Sequence, residues 1–318
     1  MDKNLALDFV RVTEAAAIAA ARWVGKGNKV KADAAATNLM RKSFNKLDIN
    51  GEIVIGEGER DEAPMLFIGE KVGTGSGLKI DIAVDPLEGT NSVAYGRPNA
   101  ISVMAAAPKG TMLRAPDTYM DKIAVGPLAY GKVSLEGDVQ YNIEAVASAL
   151  DKQPKDITVI CLDRDRHKNL IKEIRKCDSR IILIPDGDVS GAIAPSIPDS
   201  GIDMLLGIGA APEGVLASAA LACIGGYMEG KLKFRDKADK NRAKNMGFKD
   251  YDKILKVKDM VDCEKTIFAA TGVTDGTLLK GAQFTAEGAS THSIVMRSKT
   301  KTVRFIEAHH VFEDEPKY

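Results

Sequence analysis

The order of helix-like and strand-like segments constrains the fold of this chain more than any other feature. Two amphipathic segments come first, from about Leu5 to Val24 and from about Asp33 to Leu47, and their apolar spacing predicts helices. Short β-branched runs bounded by Gly or Pro follow and predict strands. These runs are Ile53 to Ile55, Ile80 to Val84, Ala100 to Ala107 and Lys122 to Val125. The first half is therefore two helices followed by a sheet.

After about Glu144, strands and helices alternate, as is typical of a Rossmann-like α/β unit. The predicted strands are Thr158 to Leu162, Ile181 to Ile184 and Asp203 to Gly207, and the helices are His167 to Lys176 and Val215 to Cys223. A basic stretch from Lys231 to Lys258 is predicted to be helical, before strands at 265–270, 293–297 and 302–309. We expect an α/β protein with two halves, residues 1–150 and 151–318.

Composition narrows the possible partners and the compartment. The chain has 318 residues, with 44 basic and 44 acidic side chains, so it lacks the net field that a non-specific nucleic-acid or membrane binder uses. The longest uncharged run, Gly214 to Met228, is shorter than the roughly 18 residues of a membrane span. The four cysteines form no C-x-x-C pair, which indicates reduced thiols. We expect a cytoplasmic protein without a nucleic-acid or membrane partner.

The hexamer Asp85-Pro86-Leu87-Glu88-Gly89-Thr90 is the most informative motif. It follows the apolar strand Ile80 to Val84, and a sharp turn there could bring both carboxylates to one point. Carboxylate oxygens are ligands for hard cations, Gly89 lets the backbone come close to a ligand, and the hydroxyl of Thr90 could contact a phosphate. A plain strand-ending turn is the alternative interpretation.

Two further acidic features support the metal interpretation. Glu57 lies between glycines after the strand Ile53 to Ile55, and Glu213 falls in the first turn of a predicted helix, where the helix dipole favours a carboxylate. Taken alone, Glu213 is as readily explained as a capping glutamate. Asp33 likewise has the appearance of a helix N-cap.

Together these motifs resemble the lithium-sensitive, metal-dependent sugar and inositol phosphatase superfamily, and within it the GlpX-type class II fructose-1,6-bisphosphatases. The segments that carry the resemblance are Val54 to Glu59, Asp61 to Leu66, Ala115 to Met120, Leu162 to Arg164, Asp186 to Val189 and Phe268 to Thr274. The resemblance implies a layered αβαβα sandwich of the sugar-phosphatase type. Three departures from the family pattern are Arg60, Asp165 where proline is expected, and Ala210 where glycine is expected.

The resemblance also implies a function and a mechanism. The reaction would be hydrolysis of the 1-phosphate of fructose 1,6-bisphosphate, a step of gluconeogenesis, by a metal-activated water, with Thr90, Asp33 and Glu57 as catalytic residues. The implied ligands of Mn²⁺ or Mg²⁺ are Asp33, Glu57, Asp85, Glu88 and Glu213. The implied substrate contacts are Glu88, Gly89, Thr90, Tyr119, Arg164, Asp165, Arg166, Asp186, Gly187, Asp188 and Ala210. A homo-oligomer, dimer or tetramer, is expected.

Alternative functions remain open at this point. The enzyme could act on sedoheptulose 1,7-bisphosphate or on another sugar or inositol phosphate. Gly207-Ile208-Gly209-Ala210-Ala211-Pro212 lies between a strand and a helix, with Glu229 about 20 residues after its start, as in an NAD(P)-binding protein. A non-catalytic sugar-phosphate sensor is a third possibility, which the presence of every expected metal ligand disfavours.

Overall fold

The chain folds into two compact units. The computed structural model describes residues 5–58 and 65–312. The first unit comprises residues up to Met112 together with those from Glu264 onward, and the second comprises Leu113–Cys263. This division differs from the one predicted at residue 150, because the strand that follows Glu264 pairs with a strand of the N-terminal part of the chain.

Both units contain helices and strands. The first unit contains helices α1 (Ala6–Ala21), α2 (Lys29–Phe44) and α3 (Thr90–Tyr95), and strands β1 (Ile49–Ile55), β2 (Lys71–Val72), β3 (Leu78–Glu88), β4 (Ile101–Pro108), β11 (Ile267–Gly272), β12 (Gln283–Phe284), β13 (Gly288–Arg297) and β14 (Thr302–Val311). The second contains β5 (Tyr119–Val125), α4 (Val139–Ala149), β6 (Thr158–Leu162), α5 (Lys168–Lys176), β7 (Arg180–Ile184), α6 (Asp188–Ile193), β8 (Met204–Ala210), α7 (Ala211–Ile224), β9 (Tyr227–Lys233), α8 (Lys237–Asn245), β10 (Leu255–Lys256) and α9 (Val257–Met260).

The first unit is built on a mixed eight-stranded sheet. Its strands run in the order β12-β13-β11-β4-β3-β1-β2, and β14 pairs with the outer side of β13. Helices α1 and α2 cover one face, where Phe9, Met40 and Phe44 pack against Ile82 and Met104. All five side chains are at most 1% exposed, so this face forms a dry core that fixes the positions of both helices on the sheet.

The second unit has a six-stranded sheet in the order β10-β9-β5-β8-β6-β7. Ile123 and Val125 of β5 face one side and pack with Ile143 of α4 and Ile174 of α5. The alternate residue Lys122 lies on the opposite side, which α6 and α7 contact. Period-two alternation in β5 therefore separates an apolar face from the face that carries charge.

Most of the elements predicted from sequence are present, with two instructive differences. Helix α2 begins at Lys29 rather than near Asp33, because the Asn28 side chain accepts a hydrogen bond from the Lys31 N–H and caps the helix there. The stretch from Lys231 to Lys258 is not one helix. Its first residues complete β9, which pairs with β5, and α8 begins only after the N-cap Asp236.

The predicted α/β class is confirmed. Both sheets mix parallel and antiparallel pairs and carry packed helices, which is consistent with the sugar-phosphatase sandwich. The cysteines are free thiols, as expected. Within residues 5–58 and 65–312, no helix has both the length and the apolar character needed to cross a membrane.

A buried acid in α1 is an unusual feature of the first unit. Glu14 is 5% exposed, and its Oε1 accepts a hydrogen bond of 3.3 Å from the Thr291 hydroxyl, which is also 2.9 Å from Nε2 of His310. Burial raises the pKa of Glu14 to about 7, since the charged form loses its hydration there. Ionised Glu14 therefore destabilises the folded state.

We predict that Glu14→Gln stabilises the protein at pH 8 but not at pH 4.5. The folded-state pKa lies above that of the unfolded chain, so the wild type loses stability as pH rises from about 4.5 to about 7. The difference between variant and wild type should grow over that window to about 3 kcal/mol and then stay constant. Melting temperatures of both proteins across pH 4.5 to 8.5 measure it.

The matched control is Glu173→Gln, which changes an exposed glutamate of α5. Its melting temperature should follow that of the wild type at every pH. A constant offset between Glu14→Gln and the wild type over the whole pH range would contradict the raised pKa.

Candidate active site

Strand β3 contains an irregularity that brings two acids to one face of the sheet. Asp85 pairs with Val103 and Glu88 pairs with Ile101, so three steps along β3 correspond to two along β4. Val103 and Ile101 are two residues apart and lie on the same face, and their partners Asp85 and Glu88 therefore do too. In a regular strand these acids would point to opposite faces.

The backbone after Glu88 turns sharply into helix α3. Gly89 is the N-cap residue, with φ 93° and ψ 44°, in the left-handed region that a residue with a side chain rarely adopts. A Cβ on Gly89 would also lie 3.2 Å from the Cα of Ala100. Glycine is thus required both by conformation and by close packing, and it sets Thr90 as the first residue of α3, partly exposed.

Asp33 and Glu57 form a hydrogen-bonded pair of carboxyl groups. Asp33 lies inside α2, so the N-cap interpretation of this residue is wrong. Burial, followed by the charge and hydrogen bond of Asp33, raises the pKa of Glu57 to about 8, and burial raises that of Asp33. Thr37 supports the pair, because its hydroxyl bonds both Glu57 and the Asp33 carbonyl oxygen, the latter at 2.9 Å. Near neutral pH the two carboxyl groups share a proton.

In the second unit, a buried lysine of β5 contacts two of the predicted site residues. Lys122 is 2% exposed, and its Nζ donates to Oδ2 of Asp188 at 2.5 Å and to the Ala210 carbonyl oxygen at 2.9 Å. Asp188 begins α6 after Gly187, whose φ is 93°, and Ala210 is the N-cap of α7. The cation thereby fixes the starts of both helices relative to β5.

Glu213 lies in the first turn of α7, as predicted. Burial and the negative charge of Asp188 raise its pKa to about 7, while the charge of Lys122 acts in the opposite direction. Its Oε2 is buried and accepts no hydrogen bond from the residues that the structure describes. A buried carboxylate oxygen without a donor is costly unless a cation or a proton compensates it.

The arginines of the predicted phosphate-binding segment are held in different ways. Arg164 donates to Oδ1 of Asp186 at 2.6 Å, and Arg166 donates to the Ile208 carbonyl oxygen and lies 4.6 Å from the centre of the Tyr119 ring. Asp165 is instead 93% exposed on its side chain and pairs with Lys168 at 2.8 Å. The structure therefore groups Arg166 with Tyr119, and Asp165 points to solvent.

Comparison with known proteins identifies the family. The model of the glpX-encoded bacterial fructose-1,6-bisphosphatases matches residues 3–310. The chain belongs to this GlpX-type family. Two curated proteins of Synechococcus, strains JA-3-3Ab and JA-2-3B'a(2-13), and one of Acaryochloris marina are similar over nearly the whole chain.

These relatives carry the name D-fructose 1,6-bisphosphatase class 2/sedoheptulose 1,7-bisphosphatase. Each Synechococcus protein is 42% identical to the chain over 335 residues, which cover 98% of the chain and 96% of the relative. The Acaryochloris protein is 43% identical over 337 residues, at 98% and 97% coverage. Likeness therefore extends through both units of the GlpX-type chain.

The predicted site residues of the GlpX-type chain fall into sets within each unit. In the first unit Asp33 contacts Glu57, and Asp85 shares a sheet face with Glu88. No three acidic, cysteine or histidine side chains of residues 5–58 and 65–312 form a group with metal-binding geometry. Glu59 and the family segment at 61–64, with Arg60, lie outside the described residues.

The dinucleotide-like motif has a structural explanation. A Cβ on Gly209 would lie 1.7 Å from Oδ2 of Asp188, so this glycine makes room for the Lys122–Asp188 pair. Glu229 is 4% exposed, and it accepts hydrogen bonds from the Tyr227 hydroxyl and the Leu135 N–H. Since Glu229 is used within the fold, the NAD(P)-binding interpretation loses its ribose ligand.

Sequence reasoning missed Lys122 and Arg235. Arg235 lies 5.5 Å from the Tyr119 ring centre and pairs with Asp239, itself 3% exposed and bonded to the Thr118 hydroxyl at 2.7 Å. The sequence did contain a signal for Lys122, because it belongs to the otherwise apolar strand Lys122 to Val125. A charged side chain buried in such a strand requires a partner. The partner itself lies 66 residues away and could not be identified from spacing.

We predict that Lys122→Met strongly destabilises the second unit. The substitution leaves Asp188 buried near Glu213 without its cation, which typically costs about 3 kcal/mol or more. The double variant Lys122→Met/Asp188→Asn removes both charges and should recover most of the loss. Thermal unfolding of the wild type, the single variant and the double variant gives the comparison.

Lys152→Met is the matched control, because Lys152 also pairs with a buried acid, Asp203, but is itself 40% exposed. Its melting temperature should fall much less, since solvent screens an exposed ion pair. An equal fall in melting temperature for Lys122→Met and Lys152→Met would show that the burial of Lys122 does not determine the loss of stability.

Proposed function

We propose that the protein is a fructose-1,6-bisphosphatase that releases the 1-phosphate of fructose 1,6-bisphosphate and yields fructose 6-phosphate, a step of gluconeogenesis. The observation that carries the proposal is the family match over residues 3–310, together with relatives named for this activity along their whole length. The free cysteines fit our proposal of a cytoplasmic location.

The relatives' names also support a second substrate. Sedoheptulose 1,7-bisphosphate appears in the name of each of the three relatives, and we propose it as an alternative or additional substrate of this chain. It presents a terminal phosphate like that of the fructose ester on a chain one carbon longer. The same carboxylates and arginines would then serve both esters.

The GlpX-type family is metal-dependent, and we propose Mg²⁺ or Mn²⁺ for this chain. The proposed ligands are Asp33, Glu57, Asp85, Glu88 and Glu213. These residues fit a hard divalent cation, because their donors are all oxygens, and the shared proton of Asp33 and Glu57 marks a place where positive charge is favoured. When bound, such a cation supplies Lewis-acid polarisation of the phosphate and stabilises the leaving alkoxide.

The catalytic role falls to Thr90, Asp33 and Glu57. We propose that the Thr90 hydroxyl accepts a hydrogen bond from the attacking water and orients it toward phosphorus. A threonine hydroxyl is a poor base, so the proton passes to a carboxylate, for which Asp33 is proposed. Glu57 is proposed to position Asp33, since the two carboxyl groups are hydrogen-bonded in the metal-free protein and both would be metal ligands in the loaded enzyme.

The second unit supplies most of the proposed substrate contacts. Guanidinium groups suit phosphate oxygens, and Arg166, stacked on Tyr119, presents such a group. Asp186 and Asp188 carry carboxylates that can accept hydrogen bonds from sugar hydroxyls. The full proposed set is Glu88, Gly89, Thr90, Tyr119, Arg164, Asp165, Arg166, Asp186, Gly187, Asp188 and Ala210. Asp165, which is exposed and paired with Lys168, is its weakest member.

We predict metal-dependent release of phosphate from fructose 1,6-bisphosphate. Purified protein treated with a chelator should be inactive and should recover activity with Mn²⁺ or Mg²⁺. Sedoheptulose 1,7-bisphosphate and inositol 1-phosphate assayed in parallel define the substrate range. Absence of hydrolysis of every ester with either metal would reject the proposed activity and favour a sugar-phosphate sensor.

The Thr90 hydroxyl provides an internal control of the mechanism. Thr90→Ser keeps a hydroxyl and should keep part of the rate, whereas Thr90→Ala should lose activity by a factor of about 100 or more, as expected for a lost acid–base contact. Both variants should bind metal like the wild type. Equal rates for the two variants would remove Thr90 from the mechanism.

We also predict that metal binding releases protons at pH 7. With a pKa of about 8, Glu57 is mostly protonated in the metal-free protein, and coordination requires the carboxylate form. Glu57 should release nearly one proton per protein at pH 7 and Glu213, with a pKa of about 7, should release about half a proton more, and the total should fall toward zero above pH 9. Calorimetric titration with Mn²⁺ in buffers of different ionisation enthalpy counts the protons.

Two variants separate this effect from other titrating groups. Glu57→Gln should remove most of the proton release and weaken metal binding, and the proposed ligand Glu213, with a pKa of about 7, should supply the remainder. Glu14→Gln removes an acid with a similarly raised pKa that is not a proposed ligand, and it should leave the release unchanged. Unchanged release in Glu57→Gln would exclude Glu57 as the source of the proton.

A homo-oligomer, dimer or tetramer, is part of the proposal. It rests on the resemblance to the GlpX family. Sedimentation of the purified protein measures the state directly, independently of the activity assay.

A further inference from the structure

Strand β14 forms an open edge of the sheet in the first unit. Its ten residues, Thr302–Val311, pair along their whole length with β13. Among residues 5–58 and 65–312, no second strand pairs with β14. An edge of this length is a template for another strand, and natural proteins usually protect or cover it.

Several of the usual protections are missing from β14, although it carries the exposed charges of Arg304 and Glu307. Its pairing with β13 runs through ten consecutive residue pairs without a bulge, and its sequence TVRFIEAHHV contains no proline and no lysine. Its outward face is also apolar at three positions, since Val303, Phe305 and Val311 are 38%, 49% and 72% exposed. Such an edge fits a partner strand better than it fits solvent.

The two faces of β14 differ, and this difference restricts the partner. Ile306 packs toward the core beneath α1, and His310 lies on the same face, in contact with Thr291. The odd-numbered residues Phe305, Glu307 and His309 point to the other face and are exposed. A pairing strand must therefore place complementary side chains opposite these three residues.

A second copy of β14 meets this requirement in one register. Two antiparallel copies related by a two-fold axis perpendicular to the sheet keep each residue on its own face. With the axis at Ala308, Glu307 lies opposite His309 of the other copy and Phe305 lies opposite Val311, each pair occurring twice. An acid faces an imidazole and an apolar residue faces an apolar one.

Neighbouring registers place less complementary side chains opposite each other. An axis at Glu307 sets two carboxylates side by side, and an axis at His309 sets two imidazoles side by side and Glu307 opposite Val311. An axis at Ile306 sets Phe305 opposite Glu307. Like charges directly opposite each other destabilise a strand pair, so complementarity selects the axis at Ala308.

We propose that two copies of this chain dimerise by antiparallel pairing of their β14 strands about a two-fold axis at Ala308, which joins the two first-unit sheets edge to edge. The proposal names the surface of the homo-oligomer proposed above and is independent of the hydrolytic activity. Closed two-fold pairing covers both exposed edges at once, so assembly stops at the dimer through this surface.

The decisive experiment places a cysteine on the proposed axis. Directly opposed Cβ atoms lie about 5 Å apart, so Ala308→Cys should give a covalent dimer in high yield with a short bis-maleimide. Arg304→Cys is the matched control on the same strand: its two copies would lie about 26 Å apart, and it should not be linked. The wild type gives the background from its own four cysteines.

Charge exchange tests the same register without a crosslink. His309→Glu places two carboxylates opposite each other twice, and Glu307→Lys removes the acceptor opposite each imidazole. Each should weaken the dimer in sedimentation equilibrium, and His309→Glu should do so by about tenfold. The double variant restores opposite charges and should return the dissociation constant to near the wild-type value. Glu173→Lys, at an exposed position of the second unit, should leave it unchanged.

The outcomes are separable. A monomeric wild type, or a dimer in which Ala308→Cys is not linked above background, overturns the proposal. Linking of Arg304→Cys instead would reject the register. The substituted positions are exposed, apart from the partly exposed Ala308, and circular dichroism and phosphatase activity of the variants check their folding. Absence of activity in the wild type would bear on the proposed function alone.

Discussion

One additional residue in β3 determines where the acidic chemistry of the first unit can lie. Because three steps from Asp85 to Glu88 match two steps of β4, both carboxylates face one side of the sheet. That side is opposite to the one on which α1 and α2 pack, where Val84 and Met104 are buried. The bulge thus separates a packed face from the face that carries both proposed metal ligands, and Gly89 completes the turn that starts α3.

Raised carboxyl pKa values occur both in and away from the proposed site. Glu57 and Glu213 have pKa values of about 8 and 7, and each lies next to another acid, Asp33 or Asp188. Glu14 has a similar pKa, yet its neighbours are a threonine and a histidine. A perturbed pKa alone therefore does not identify a site. A pair of adjacent acids supports the proposed site with a physical reason, since like charges together favour a bound cation.

Elements that depend on near neighbours in sequence could be predicted, whereas features that depend on long-range pairing could not. Strand β6 was predicted to the residue, and Glu213 was correctly assigned to the first turn of a helix, because both depend on near neighbours. The predicted start of α2 was wrong, because the cap at Asn28 starts the helix earlier than the apolar spacing indicates. The prediction of one helix from Lys231 to Lys258 was wrong, because its first residues pair with β5 as part of β9. Lys122 escaped notice because its partners Asp188 and Ala210 are distant in sequence.

The order of strands in the first unit has a consequence for biosynthesis. Strand β11 pairs with β4 on one side and β13 on the other, although β4 leaves the ribosome more than 150 residues earlier. The nascent N-terminal region thus exposes the edge of β4 while the whole second unit is made. The second unit is one continuous segment, Leu113–Cys263, so all strands of its sheet are available as soon as that segment has been synthesised. Translation therefore favours a folding order opposite to the order of the sequence, with an interval in which β4 is open to aggregation or to chaperones.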